Sequence, residues 1–277
     1  MAEQMNALIS AAELKEIFEQ PGVRLLDASY SLPPTGTRIG KAQDFNIDAV
    51  ADPDAEFAHT LPSPTVFADW AERLGVSNGD HVIVYDRAGI AMAASRAWWM
   101  FRIFGHDKVQ VLDGGLPAWQ NAGYPTTEKT GEIPPRGVFK PSFRAELFKT
   151  RDDILKNLDE KSFTVLDARD PRRYSGEAPE PRPGMESGHI PGSFNTPYAS
   201  LIDPQTGLVK STEGLKASLA HIDTSKPVAI SCGSGVTACV VALGLHQLGH
   251  KDAAVYGGSW AEWGGDASLP KTKGSHP

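Results

Sequence analysis

The stretch Cys232-Gly233-Ser234-Gly235-Val236-Thr237 joins an apolar run, Val228-Ala229-Ile230, to a helical stretch from Ala238 to Leu248. It places a thiol at the head of a loop with two glycines among the next three residues. Glycine lets backbone approach a ligand closely, so the loop can turn its N–H groups onto a sulfur anion at the start of a helix. Aligned peptide dipoles favour negative charge there, and the thiolate is the nucleophilic form of cysteine. A nucleophile held in this way needs no adjacent base. The commonplace alternative is an inert buried thiol, but the strand, glycine loop and helix argue for the reactive reading. The only other cysteine, Cys239, is expected in the apolar face of the helix beside Val240, Val241 and Leu243. A resolving thiol is its alternative role.

Rival chemistries find less support. A cysteine phosphatase also sets a thiolate in a loop before a helix, but it grips phosphate with an arginine six positions after the cysteine. Here that position is Ala238. The eight histidines and two cysteines show no CxxC or HExxH spacing, so no metal site is expected. Nucleotide-binding glycine fingerprints are also missing. The pairs Gly114-Gly115 and Gly257-Gly258 read as tight turns before helices.

The elements that would position the thiol are written twice. The first half carries Leu25-Leu26-Asp27-Ala28, Val82-Ile83-Val84-Tyr85-Asp86, Phe104-Gly105-His106, Val109-Gln110-Val111-Leu112 and a Gly114-Gly115…Trp119 segment. The second half answers with Val165-Leu166-Asp167-Ala168, Val228 to Cys232, Leu248-Gly249-His250, Ala253 to Tyr256 and Gly258-Ser259-Trp260 through Trp263. Short apolar runs alternate with helical periodicity over Pro64–Leu74, Ala91–Phe104, Glu213–His221 and Thr237–Leu248. That alternation predicts two α/β domains, each with a mainly parallel sheet buried on both faces. The domains are expected at 1–125 and 144–277. Between them, 126–143 is rich in proline, glycine and charge and reads as a linker. The duplication also assigns the chemistry. Asp86 stands where the second copy has Cys232, and Arg87-Ala88-Gly89-Ile90 supplies no nucleophile. The first copy is therefore expected to be a structural partner whose face closes over the site, with Trp98 and Trp99 in its core.

Composition narrows the partners. The chain has 277 residues, a formal charge of −7 and a pI near 5.6, with no basic cluster, so nucleic acid is not an expected partner. No stretch approaches the apolar length of a membrane span, and the first twenty residues lack a signal-like basic and apolar pattern. A cytoplasmic location is expected, where a reducing environment suits a working thiol.

Together, the tandem copies, the aspartate in one loop and CGSGVT in the other resemble the rhodanese superfamily of sulfurtransferases, nearest its mercaptopyruvate-using branch. Asp167-Ala168-Arg169, Arg173-Tyr174-Ser175-Gly176, Pro179-Glu180-Pro181-Arg182 and Gly188-His189-Ile190-Pro191-Gly192 extend the likeness over nearly the whole chain. The resemblance implies five-stranded, mainly parallel sheets flanked by helices. It implies catalytic Cys232 and Ser234, and a persulfide cradled by Gly233, Ser234, Gly235, Val236 and Thr237. It also implies Arg173 and Arg182 on the donor's carboxylate and keto group, a task for which a planar guanidinium fork is suited. The competing reading pairs those arginines with Glu177, Glu180 and Glu186. His189 is read as a structural histidine in a turn.

No cofactor is implied beyond the covalent persulfide, and the expected partners are a small sulfur donor and a thioredoxin or small-thiol acceptor. The loop interior carries no cation, which favours mercaptopyruvate over thiosulfate. Thiosulfate:cyanide sulfur transfer and a non-turnover persulfide carrier are the alternatives. In this branch a histidine and an aspartate from the first domain work with the loop serine. The matching segment, Arg38-Ile39-Gly40-Lys41, has arginine at the histidine position, and Ser31 to Thr37 holds no acidic residue. Ser234 is thus expected to act as a simple donor, with Arg38 adding charge if it reaches the cleft.

Overall fold

The computed structural model describes residues 5–30, 36–129 and 131–277. Residues 31–35, most of the stretch without an acidic side chain, lie outside the described residues. The chain forms two units: Met1–Pro53 with Leu61–Arg144 and Asp203–Val209, and Asp54–Thr60 with Ala145–Ile202 and Lys210–Pro277. A single cut between halves does not describe this division, because 54–60 and 203–209 each belong to the other half's unit.

In unit 1 the strands are β1 (Leu8–Ile9), β2 (Val23–Asp27), β3 (Gln43–Asp44), β4 (His81–Tyr85) and β5 (Val109–Leu112). The helices are α1 (Ala11–Ile17), α2 (Ile47–Val50), α3 (Pro64–Arg73), α4 (Met92–Ile103) and α5 (Gly115–Asn121). Unit 2 repeats the pattern with β6 (Phe148–Lys149), β7 (Thr164–Asp167), β8 (Phe194–Asn195), β9 (Val228–Ser231) and β10 (Ala254–Tyr256). Its helices are α6 (Arg151–Glu160), α7 (Pro171–Ser175), α8 (Thr212–Ser218), α9 (Ala238–Gln247) and α10 (Ser259–Trp263). Both sheets are five-stranded and wholly parallel, in the same order: β1-β5-β4-β2-β3 and β6-β10-β9-β7-β8. The duplicated sequence pattern therefore yields a duplicated topology.

β4 and β9 are the central strands, and every residue of β9 is buried. This explains the continuous apolar run that a half-exposed strand would not tolerate. Each feeds a loop at its carboxyl end, 86–91 in unit 1 and 232–237 in unit 2. Open parallel sheets offer their ligand sites at that end. Helix caps then distinguish the loops. Ser10, Ser63, Thr150 and Ser211 cap α1, α3, α6 and α8 with side-chain oxygens. Helices α4 and α9, which follow the two loops, have no side-chain bond from their N-cap residues. In α9 eight of the ten residues are buried, so packing rather than capping sustains the helix.

Trp98 and Trp99 are buried in α4 as expected. In unit 2, Trp260 and Trp263 are completely buried, and their indole N–H groups donate to the Glu186 and Pro270 carbonyls at 3.0 and 2.8 Å. Satisfying those donors lets two large side chains fill the core without an unpaired polar atom. The proline-rich stretch 126–143 has no helix or strand among its described residues, yet it packs as part of unit 1. Phe139 is buried edge-on against Phe67 and Phe101, and Gly137 N donates to the Glu72 carbonyl at 2.8 Å. Helix α8 stops at Ser218, three residues short of the periodicity's end, where the chain turns through Leu219 to Ile222.

His189 is structural. It is fully buried, stacks on Tyr174 with ring centroids 3.8 Å apart, and has Nδ1 2.9 Å from the Tyr174 carbonyl. Burial lowers its basicity below the ordinary value of 6.5, and burial does the same at His81 and His106. Each therefore takes up its proton at a lower pH in the folded chain than in the unfolded one. Their contribution to stability is complete above the unfolded value and is lost as pH falls from it toward the lowered folded value. Calorimetry should show the unfolding midpoint falling from pH 7 to 5, with a shallower fall in His189→Gln. Equal slopes for the two proteins would contradict this role for His189.

Candidate active site

Cys232 follows β9 directly and is 1% exposed. Its Sγ lies 3.1 Å from Gly235 N, which donates to it. That geometry depends on Gly235, whose φ of +79° is ready for glycine and costly for other residues. The first turn of α10 holds the other side of the loop: Trp260 N donates to the Cys232 carbonyl and Ala261 N to the Gly233 carbonyl, each at 2.9 Å. Cys239 is buried in α9, and its thiol donates to the Gly235 carbonyl at 3.3 Å. It braces the loop, and its sulfur is occupied with a carbonyl.

Unit 1 shows what this loop accommodates. At the position of Cys232, Asp86 accepts from Gly89 N at 2.7 Å and from Ala94 N, within α4, at 3.5 Å. Gly89 has φ +73°, close to that of Gly235. Burial raises the Asp86 carboxyl's affinity for its proton, against the pull of these N–H groups. In both copies the residue leaving the central strand thus turns an acceptor onto the N–H three positions later. One acceptor is a carboxyl oxygen, the other a sulfur.

Ser234 is buried, and its Oγ lies 2.8 Å from Nδ1 of His59. The expectation that arginine replaces the serine's histidine partner is therefore corrected. His59 belongs to the segment 54–60, which is part of unit 2, and has a left-handed backbone, φ +63°. Arg38 belongs to unit 1, where its fully buried guanidinium pairs with Asp44 at 2.7 Å and its backbone bridges Thr127. It is a structural cation. His59 escapes sequence reading because it lies in an irregular stretch, 175 positions from the serine, with no repeating motif around it.

The arginine expectations resolve differently. Arg169, completely buried, binds Asp167 through Nε and Nη2, Glu180 at 2.9 Å and the Gly188 carbonyl at 2.7 Å, and lies over Trp260. Glu180, its side chain 1% exposed, continues to Arg173 at 2.5 Å. Arg173 thus pairs with Glu180, as the competing reading held, and also reaches the loop. A Cβ built on Gly233 would lie 3.4 Å from Arg173 Nη2. The alternating charges Asp167, Arg169, Glu180 and Arg173 carry a partly exposed guanidinium from the end of β7 to the thiol loop. Arg182 is exposed and makes no bond with a described residue. Among the described residues no group of three or more His, Cys, Asp or Glu could hold a metal ion, and no helix is long and apolar enough to cross a membrane.

Comparison with known proteins accords with this geometry. The rhodanese-like domain model matches residues 10–122 and 150–266. The chain belongs to the rhodanese-like family, with two copies of the domain in tandem. It is 42% identical to mouse 3-mercaptopyruvate sulfurtransferase over 93% of this chain and 92% of that protein. It is 40% identical to bovine thiosulfate sulfurtransferase over 93% and 92%. Among solved structures, a 3-mercaptopyruvate sulfotransferase from Escherichia coli, SseA, superposes with a TM-score of 0.82 at 33% identity, covering 92% of this chain and 99% of that one.

The Glu180→Gln variant tests the charge chain. Removing the carboxylate leaves Arg173 unpaired there and Arg169 with Asp167 and one carbonyl, so stability should fall by about 3–5 kcal/mol in denaturant titration, as for other broken buried pairs. An unchanged midpoint would mean that Glu180 does not hold these arginines.

Proposed function

We propose that this sulfurtransferase takes sulfur from 3-mercaptopyruvate onto Cys232 as a persulfide, releases pyruvate, and passes the sulfur to a thiol. The observation that carries the reading is the buried Cys232 sulfur under the Gly235 N–H, before a helix with no side-chain cap. The Cys232 thiolate attacks the donor sulfur. A new S–S bond forms, the C–S bond breaks, and its electron pair leaves on the pyruvate fragment as an enolate, which a proton converts to pyruvate. The N–H groups of Gly233 to Thr237 stabilise first the thiolate and then the persulfide anion, as an oxyanion hole does for oxygen. Ser234 with His59 provides a hydrogen-bonded route for the proton.

Arg173, set against Gly233, and Arg182, exposed and without a bond to a described residue, bind the donor's carboxylate and keto oxygen. A thioredoxin-like dithiol, a small thiol or cyanide then attacks the outer sulfur and restores the thiolate. These steps call for no metal or bound cofactor. Both cysteines are free, which supports a reducing, cytoplasmic setting. Thiosulfate is the second reading, supported by the likeness to bovine thiosulfate sulfurtransferase. Against it stands the loop's own sequence, since residues 233–237 carry no cationic side chain to meet the sulfonate.

Steady-state rates with the two donors separate these readings. Mercaptopyruvate should be preferred, and Arg173→Ala or Arg182→Ala should raise its KM about tenfold or more, the value of one charged hydrogen bond. Preference for thiosulfate with no effect of either arginine would overturn the donor assignment. A persulfide that forms but passes only to one protein partner would instead mark a carrier.

A further inference from the structure

The two copies differ at one point beside the loop that the steps above do not use. Leu116 N, in the first turn of α5, donates to the Asp86 carbonyl at 3.0 Å, and Trp260 N donates to the Cys232 carbonyl at 2.9 Å. This shared contact makes Gly115 and Ser259 equivalent positions. Their backbones agree, with φ +54° at Gly115 and +51° at Ser259. Glycine adopts that conformation freely, whereas serine seldom does. Space differs as well. A Cβ built on Gly115 would lie 2.3 Å from the Asp86 carbonyl oxygen, while unit 2 accommodates a whole side chain at this place with no exposure. The serine hydroxyl accepts from Cys232 N at 3.1 Å and donates to the Tyr256 carbonyl at 2.9 Å. An unfavourable backbone held in a packed interior invites a functional explanation.

Resting on the reading of Cys232 as the nucleophile, we propose that Ser259 is a positioning residue for its sulfur. Ser259 Oγ holds the Cys232 N–H, and Trp260 N–H holds the Cys232 carbonyl. With both backbone groups of the nucleophile fixed, its Cα–Cβ bond has a set direction, and Sγ arrives beneath the Gly235 N–H. The copy without a thiol keeps glycine at this position. The copy with one carries a strained serine whose hydroxyl reaches the nucleophile's own N–H. A small displacement of a reacting atom is costly in rate, which is where the serine acts.

Ser259→Gly separates positioning from folding, because it relieves the left-handed strain while removing the hydroxyl. Ser259→Ala keeps the strain and also removes the hydroxyl. For Ser259→Gly we expect an unfolding midpoint within a few degrees of the wild type. Mercaptopyruvate KM should stay within about twofold, while kcat falls about tenfold or more. Iodoacetamide labelling of the Cys232 peptide, normalised to its rate in denaturant, should slow in parallel. Ser259→Ala should lose midpoint as well as kcat. Wild-type kcat and labelling in Ser259→Gly would overturn the proposal, as would a kcat loss matched by a lowered midpoint or a raised KM. If the wild type fails to turn over mercaptopyruvate, the donor assignment falls, and the labelling rates alone decide the role of Ser259.

Discussion

A buried sulfur acceptor needs a hydrogen-bond donor, and at Cys232 the main chain supplies it. The Gly235 N–H reaches Cys232 Sγ because glycine can hold φ at +79°, and α9 begins three residues further on without a side-chain cap. Much of the surrounding structure serves that arrangement. A wholly buried central strand delivers the cysteine to the carboxyl end of the sheet, and α10 grips the loop's carbonyls. Cys239 braces Gly235 from behind. Isolated ions are expensive to bury, so a loop of oriented peptides is a low-cost way to keep a thiolate dry and reactive.

The second copy of the domain sharpens this account. Unit 1 has the same strand order, the same left-handed glycine four residues after the strand and, from α5, the contact that α10 makes in unit 2, but an aspartate in place of the cysteine. The loop is thus a general device for presenting N–H donors to an acceptor. Chemistry enters with the thiol. Around it, unit 2 has a serine joined to His59 and a charge chain that runs from Asp167 to Arg173 against the loop, where unit 1 has the single pair Asp27–Arg87 among its described residues. Along that chain burial decreases, from the fully buried Arg169 to the partly exposed Arg173.

Much of this was legible in the sequence for a local reason. The strands, the long helices and the thiol loop are written in contiguous residues whose periodicity and glycine placement carry their own physical meaning, as in Val228–Thr237. Duplication then gave each motif a control. What could not be read depends on residues distant in the chain. His59 meets Ser234 because 54–60 leaves its own half to join unit 2, and no local pattern announces such a crossing. Arg38 misled for the same reason: the motif position suggested a site residue, and its burial against Asp44 shows only in three dimensions. In the sequence Ser259 is one residue of a repeated turn. Its meaning lies in a torsion angle and one hydrogen bond.

The central claim is that sulfur travels covalently on Cys232. Mass spectrometry of the protein after exposure to mercaptopyruvate without an acceptor tests it most directly. The account predicts a gain of one sulfur atom confined to the Cys232 peptide, pyruvate released in equal amount, loss of the added mass on supplying a thiol or cyanide, and neither product from Cys232→Ser. Pyruvate formation by Cys232→Ser, or added sulfur found on Cys239 instead, would contradict it.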